Sequence, residues 1–503
     1  MGRPGVGRPG VTRPAPGPGV VEGARGADPL PLARRTRNAL VWSFLNNVVG
    51  RAGSMLTGVV LARILLPQDY GIFAVALVGL NAVLSMNELG VSLAIVRWPG
   101  DVRRLAPTVA TLSTSFSSVL FVVTMVAAPA VCRALNAAGA VAAMRLLAVS
   151  LLIDAVCATP AAFMTREFQQ NRRLVVDGVG LVVTAAVSIT LALHGFGAWS
   201  LIWGQLVGNA VNAVFIIGWA PWRLRFGFRR SIARELLHFG LPLSAASLLV
   251  FAMLNLDYIV IAGTLGSVAL GYYLMAFNLS SWPVNMLSAP VRRVSLAAFS
   301  RLVEDPSRGL EGFAKAFTML LALTLPACLV MAICARPLVG LLYGGKWLPS
   351  AQVLPYLLLL GLVRVMAELA YDFLVALGRS RANVTVQAIW LVALLPALIL
   401  GARWHGIAGV AVGHAVVAVV VVGPAYAAVL RASGVHLTGI LRQCRRPLGA
   451  AAAAAVVGLA TLQLVEGFLP RLAVGGSAFA VTYLTGVYPM RRQFAALRVA
   501  PAD

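Results

Sequence analysis

The chain has 503 residues, 59% hydrophobic and 12% charged, with a net charge of +24 and a mean hydropathy of +0.86. Soluble globular chains are nearer ~25% charged and about half apolar, so an ordinary water-soluble enzyme or binding domain is excluded. The apolar residues form continuous helix-length runs, not the ~10-residue alternating segments of an outer-membrane barrel, and the basic excess is distributed as a topology signal rather than a nucleic-acid footprint.

In chain order, residues 1–37 are rich in Gly, Pro and Arg and hold few large apolar side chains. They are predicted to be a disordered cytoplasmic tail without the apolar core of a signal peptide. Six spans follow over 38–220, at 38–62, 71–96, 107–131, 139–163, 174–193 and 197–220. A basic cytoplasmic linker, 221–235, leads to six more over 236–430, at 236–262, 268–291, 312–335, 350–377, 383–402 and 406–430. A second basic linker, 431–447, precedes two last spans within 448–489 and a cytoplasmic tail, 490–503. The expected fold class is an all-α polytopic membrane protein of about 14 transmembrane helices. Inner segments and their borders hold 32 of the 41 Lys and Arg residues, against six in outer loops and three within spans (Arg51, Arg145, Arg364). This positive-inside bias places both termini in the cytoplasm. The five cysteines are scattered without metal spacing and read as small apolar fillers.

Two internal matches suggest duplication. Residues 61–76 align without gaps on 261–276, with Ala62/Ala262, Leu65/Leu265, Gly71/Gly271 and Ala76/Ala276 coinciding. A second match, offset by 209, sets 197–204 on 406–413. Spans one to six and seven to twelve would then form two six-helix lobes with the same orientation, related by a parallel pseudo-two-fold axis, with two C-terminal helices appended. That plan suits a carrier that rocks two halves about a central site.

A polar stripe on a membrane helix must face protein or water. Span two carries Asn81, Ser85, Glu88 and Ser92 on one face, and span eight carries Ser281, Asn285, Ser288 and Arg292 at the same four positions under the 200-residue offset. Span one adds Asn47, Arg51, Ser54 and Gly58; span seven adds Ser244, Ser247, Asn255 and Asp257 less tidily. For a single Asn or Ser, helix–helix packing is the better explanation. Four stripes on the paired first helices of each half favour a hydrated cavity. Its candidate substrate-binding residues are Arg51, Asn47, Asn81, Ser85, Glu88, Ser281, Asn285 and Arg292.

Arg51 lies near mid-membrane, where an arginine costs at least ~2.5 kcal/mol on insertion scales without a partner. Its planar fork suits an anion such as phosphate, and an ion pair with Glu88 or Asp257 is the equal alternative. Arg364 precedes Glu368 and Asp372 at i+4 and i+8, the spacing of an intrahelical ion pair. Arg145 with Asp154 reads similarly as structural. Neither a phosphate-binding Walker loop nor a hydrolase or metalloprotease signature occurs. The five histidines are dispersed, and His194-Gly195 and His405-Gly406 read as turns. No catalytic residues, metal site or cofactor are expected.

Gly50-Arg51, the run Leu61-Ala-Arg-Ile-Leu-Leu-Pro-Gln-Asp-Tyr-Gly71, Glu88-Leu-Gly-Val-Ser-Leu-Ala-Ile-Val-Arg97 and Leu270-Gly-Tyr-Tyr273 carry a resemblance. They resemble the polysaccharide-transporter branch of the multidrug/oligosaccharidyl-lipid/polysaccharide exporter superfamily, which includes Wzx-type flippases. The resemblance implies a flippase in the bacterial cytoplasmic membrane that moves a polyprenyl-pyrophosphate-linked oligosaccharide by alternating access. The implied partners are that lipid-linked substrate, membrane lipids, and the glycan polymerase and glycosyltransferases of the same pathway, with no nucleic acid. Glu88, Asp257, Glu368 and Asp372 are the candidates for coupling to an ion gradient. A multidrug or cation antiporter and a peptidoglycan-precursor flippase of the same superfamily are the near alternatives; a membrane glycan polymerase or ligase is a more distant one.

Overall fold

The computed structural model describes residues 29–87, 95, 102–167, 169–220, 225–300 and 306–490, and nearly all of them are helical. Glu88 and Ser92 lie outside the described residues, as do the side chains of Ser288 and Arg292. The helices are α1 (Pro29–Ile64), α2 (Pro67–Asn87), α3 (Val102–Ala134), α4 (Val141–Leu147), α5 (Val149–Arg166), α6 (Gln170–Leu193), α7 (Ala198–Trp219) and α8 (Arg230–Leu265). They continue as α9 (Ser267–Ser300), α10 (Pro306–Ile333), the short α11 (Ala335–Leu342), α12 (Leu348–Ala376), α13 (Ser380–Val416), α14 (Gly423–Ala432), α15 (Leu437–Gln463) and α16 (Phe468–Val487). Among the described residues, eight helical stretches are long and apolar enough to cross a membrane. The chain is a multi-pass membrane protein.

Helix α1 begins at Pro29, ahead of the boundary at residue 37 expected from composition. Proline is well suited to a first helical turn, and no Gly or Asp interrupts the stretch behind it beyond one more proline at 31. Helices also run past other expected span ends: α9 continues to Ser300, and α10 starts at Pro306.

The stretch 380–432 holds 53 residues, more than one crossing needs. It folds back at His405-Gly406, where Gly406 takes φ 57° and ψ −137°. A methyl group on Gly409 would sit 2.0 Å from the Gly401 carbonyl oxygen, so the arms of the hairpin touch backbone to backbone. The α6–α7 hairpin turns at Gly197 with φ 53° and ψ −131°. Gly197 and Gly406 are the residues matched at the 209-residue offset, and both adopt the same positive-φ conformation, open to glycine and strained for other residues. After the second hairpin, residues 417–422 widen into a π-helical turn. Pro424 follows, and its missing N–H leaves a carbonyl of that turn without its usual α-helical donor.

A buried apolar core joins the two halves of the chain. It runs from Val75 and Leu80 on α2, Leu147 on α4 and Ile202 on α7 to Ile261, Tyr273, Leu320 and Phe373. Helix α1 stands apart from this core. It packs mainly on α6, where Asn46 Nδ2 donates to Asp177 Oδ2 at 2.7 Å, and exposes Trp42, Leu45, Val48 and Leu56. Such a face is comfortable only against lipid.

A sealed seam and a charged pocket

Helices α2 and α9 meet at their N-terminal ends, and the contact is reciprocal. A methyl on Gly71 would lie 2.0 Å from the Ser267 carbonyl oxygen; one on Gly271 would lie 2.3 Å from that of Pro67. Residues 67 and 267, like 71 and 271, are separated by the repeat offset. No side chain fits between these backbones, so glycine is required at both positions.

The same end is tied by helix caps that cross between the halves. The last carbonyls of a helix lack internal partners. Trp347 Nε1 donates to the Ala62 carbonyl at 2.8 Å and Lys346 Nζ to that of Arg63 at 3.0 Å, capping α1 from the second half. In return Arg63 donates to the Leu341 and Leu342 carbonyls at the end of α11. Asn136 Nδ2 donates to the Gly263 carbonyl near the end of α8 at 2.6 Å. Cations at helix C-termini also meet a favourable dipole. Tyr70, Tyr272 and Tyr343 pack edge-on around Trp347, which is fully buried. Replacing Trp347 by Phe keeps most of the packing and orphans the Ala62 carbonyl. We expect a loss of about 1–3 kcal/mol, read as a lower unfolding midpoint in detergent.

The stripe residues lie beyond this seam. Asn81 and Ser85 on α2, and Ser281 and Asn285 on α9, are two or more turns further along the helices that meet at Gly71 and Gly271. Of the eight candidate substrate residues, Asn47, Arg51, Asn81, Ser85, Ser281 and Asn285 have described side chains, and none of these is buried. Ser85 and Ser281 hydrogen-bond back to their own helices through the Ala82 and Asn278 carbonyls. Arg51 is exposed, 13 residues before the end of α1, on the side turned away from the Gly53–Leu181 contact with α6. Among the described residues no carboxylate ion-pairs with it. Asp257, considered as its partner, is engaged elsewhere.

Asp257 is buried in the second half. Its Oδ2 accepts from Tyr273 Oη at 2.9 Å and its Oδ1 from the Tyr258 backbone N–H at 3.0 Å. His414 Nδ1 stands 3.9 Å from Oδ2, too far for a hydrogen bond and close enough for an ion pair if the ring is protonated. His414 shares a cavity of about 290 Å³ with Arg364, Glu368, Gln387 and Trp390. Arg364 Nε is 3.3 Å from Glu368 Oε1, the intrahelical pair expected from their spacing. Asp372, two turns on from Arg364, is buried and does not line the cavity. Of the coupling candidates with described side chains, Glu368 alone lines the pocket; Asp257 is buried behind its His414 wall, and Asp372 does not line it. Arg145 donates to the Met125 carbonyl at 3.0 Å. His414 had no sequence signal: it lies 157 residues from Asp257, within a hairpin arm otherwise built of Ile, Val, Ala and Gly.

A model of the family described as polysaccharide biosynthesis protein matches residues 60–352. The lipopolysaccharide biosynthesis protein WzxC of Escherichia coli (strain K12) is 24% identical over 403 residues, 77% of this chain and 80% of that protein. The succinoglycan biosynthesis transport protein ExoT of Rhizobium meliloti (strain 1021) is 24% identical over 326 residues, 64% of this chain and 65% of that one. Among solved structures, the lipid II flippase MurJ in an inward closed conformation superposes with a TM-score of 0.71 at 12% identity, over 90% of this chain and 99% of MurJ. An inward-facing multidrug resistance transporter of the MATE family gives 0.57 at 19% identity, over 78% and 99%. These two likenesses concern the fold.

Proposed function

The chain belongs to the polysaccharide biosynthesis protein family, and on that premise we propose that it is a flippase for a polyprenyl-pyrophosphate-linked oligosaccharide. It is a transporter and not an enzyme. It works by alternating access in the bacterial cytoplasmic membrane, with both termini in the cytoplasm. On this reading about 14 helices cross the membrane as two six-helix lobes and two appended spans. The duplicated Gly197 and Gly406 turns and the reciprocal Gly71 and Gly271 contact support that division.

The observation that carries the proposal is the combination of a sealed seam with unburied polar stripes further along the same helices. The positive-inside bias puts the seam on the outer side. The path is then closed outward and its polar residues face the cytoplasm, the state that would load substrate from the inner leaflet. Arg51 supplies a guanidinium for the pyrophosphate, with Asn47, Asn81, Ser85, Glu88, Ser281, Asn285 and Arg292 along the glycan's route. The test is reconstitution in liposomes with the lipid-linked oligosaccharide extracted from the source cells. Transbilayer movement above protein-free liposomes supports the proposal; movement equal to theirs overturns it.

Asp257, held beside His414, is the proposed coupling carboxylate, and Glu368 the second. Ion–substrate coupling energies run about 1–3 kcal/mol. Asp257→Asn keeps the shape and the Tyr273 contact but not the charge. Gradient-driven flipping should fall roughly 5–150-fold, while exchange without a gradient continues. Equal losses in both modes would remove Asp257 from coupling.

A further inference from the structure

We propose that the α12–α13 pocket of the second half binds one sugar ring of the translocated glycan, an assignment that rests on the flippase reading above. The pocket is lined by two kinds of group. Trp390, Tyr371 and Phe277 present aromatic surface, and Gln387, His414 and the Arg364–Glu368 pair present polar atoms. Trp390 is 9% exposed, and its Nε1–H has no partner among the described residues. Gln387 Oε1, His414 Nδ1 and Tyr426 Oη are also buried atoms of this cavity without a partner at hydrogen-bonding distance among the described residues, and the Tyr426 hydroxyl lies toward Gln387. A buried polar atom left unsatisfied is costly, and native structures hold few of them. Four on one cavity, of which only Tyr426 Oη and Gln387 Oε1 can serve each other, indicate a ligand that both donates and accepts.

The chemistry narrows the class. An acyl chain would leave Trp390 Nε1 and His414 Nδ1 unpaired. A metal cation is opposed by Arg364 at the mouth, and an inorganic anion by Glu368 and the nearby Asp257. A neutral polyol satisfies the set. Its hydroxyls accept from Trp390 and Arg364 and donate to Gln387 and Glu368. Its C–H faces pack on the rings, where apolar area is removed from water. The cavity, about 290 Å³, holds roughly ten waters' worth of space, the scale of one sugar ring rather than a whole repeat unit. Arg364 and Glu368 are partly exposed at 41% and 30% of their side chains. Charged groups in the middle of a membrane helix face water or protein, so the pocket opens toward the hydrated path and not toward lipid.

The experiment is saturation-transfer NMR on the full-length protein in lipid nanodiscs. The probes are the methyl glycosides of glucose, galactose, mannose and N-acetylglucosamine. The wild type should transfer saturation to the ring protons of at least one probe. Trp390→Leu should abolish the signal, and Gln387→Leu should weaken apparent affinity roughly five-fold, the worth of one hydrogen bond. Trp203→Leu, at an exposed tryptophan on α7, should leave the signal unchanged. No transfer to any probe, or undiminished transfer in both pocket variants, overturns the proposal. If Trp390→Leu does not fold, Gln387→Leu decides alone. Surface glycan in a strain deleted for the gene is scored separately. Its persistence there overturns the flippase reading, whereas its loss together with absent sugar signals overturns the pocket alone.

Discussion

Substituting Gly71 by Val should stop transport and hold the protein open at the seam. The same should follow for Gly271, because each backbone leans on the other's helix start. A Cβ at 2.0 Å from a carbonyl oxygen cannot be absorbed by side-chain movement, since the group it meets is main chain. Overpacking typically costs about 1–3 kcal/mol, and here it falls only on the state in which α2 and α9 touch. Against a two-state equilibrium of a few kcal/mol, that is roughly a 5–150-fold shift toward the opposite state. Spin labels at the exposed Leu66 and Val268 report it directly. The wild type should give a short, narrow distance distribution and both variants a longer one, with flipping lost in proportion. Gly50, with open space around it, provides the control: Gly50→Ala should change neither reading. Unchanged distances in Gly71→Val would mean that the seam does not gate transport.

Arg51→Ala should abolish glycan export while the protein still inserts and melts normally. A charge-assisted hydrogen bond is worth about 1.5–3 kcal/mol, so flipping at matched protein should fall roughly 10- to 150-fold. Arg51→Lys should recover part of the rate, since it restores the charge and not the planar two-pronged donor. If Arg51 instead balanced a carboxylate, its removal would strand a buried charge and lower stability by several kcal/mol. The exposed side chain without an ion-pair partner among the described residues predicts an unchanged unfolding midpoint. Normal export by Arg51→Ala would exclude the arginine from substrate binding.

What was legible in the sequence followed from rules acting over short distances along the chain. Apolar runs longer than a bilayer's hydrocarbon mark crossings regardless of tertiary detail. Gly197 and Gly406 were readable because a tight turn with positive φ selects glycine at both positions of the 209-residue match. The Arg364–Glu368 pair was readable because i+4 neighbours on a helix always meet. The Asp257–His414 approach was not: it needs α8 and α13 to pack at one register, and nothing near either residue encodes that. The caps at Ala62, Arg63 and Gly263 were hidden for another reason, because their acceptors are backbone atoms that no residue name reveals. The early start of α1 at Pro29 shows composition overstating an unstructured tail, where the glycines stop at residue 26 and the helix begins soon after.

Those backbone acceptors have a consequence for how the two halves can diverge. At Leu341, Leu342, Ala62 and Gly263, every cross-half bond asks for one particular side chain on one side and only a peptide group on the other. Substitution on the accepting side cannot erase a carbonyl. At these bonds, unlike at the Gly71 and Gly271 contact, the accepting half can therefore drift in sequence without waiting for a compensating change opposite. Chimeras that join residues 1–220 of this chain to the second half of a distant relative should keep the seam wherever the donors at 63 and 136, the residues corresponding to 346 and 347, and the glycine corresponding to 271 are retained.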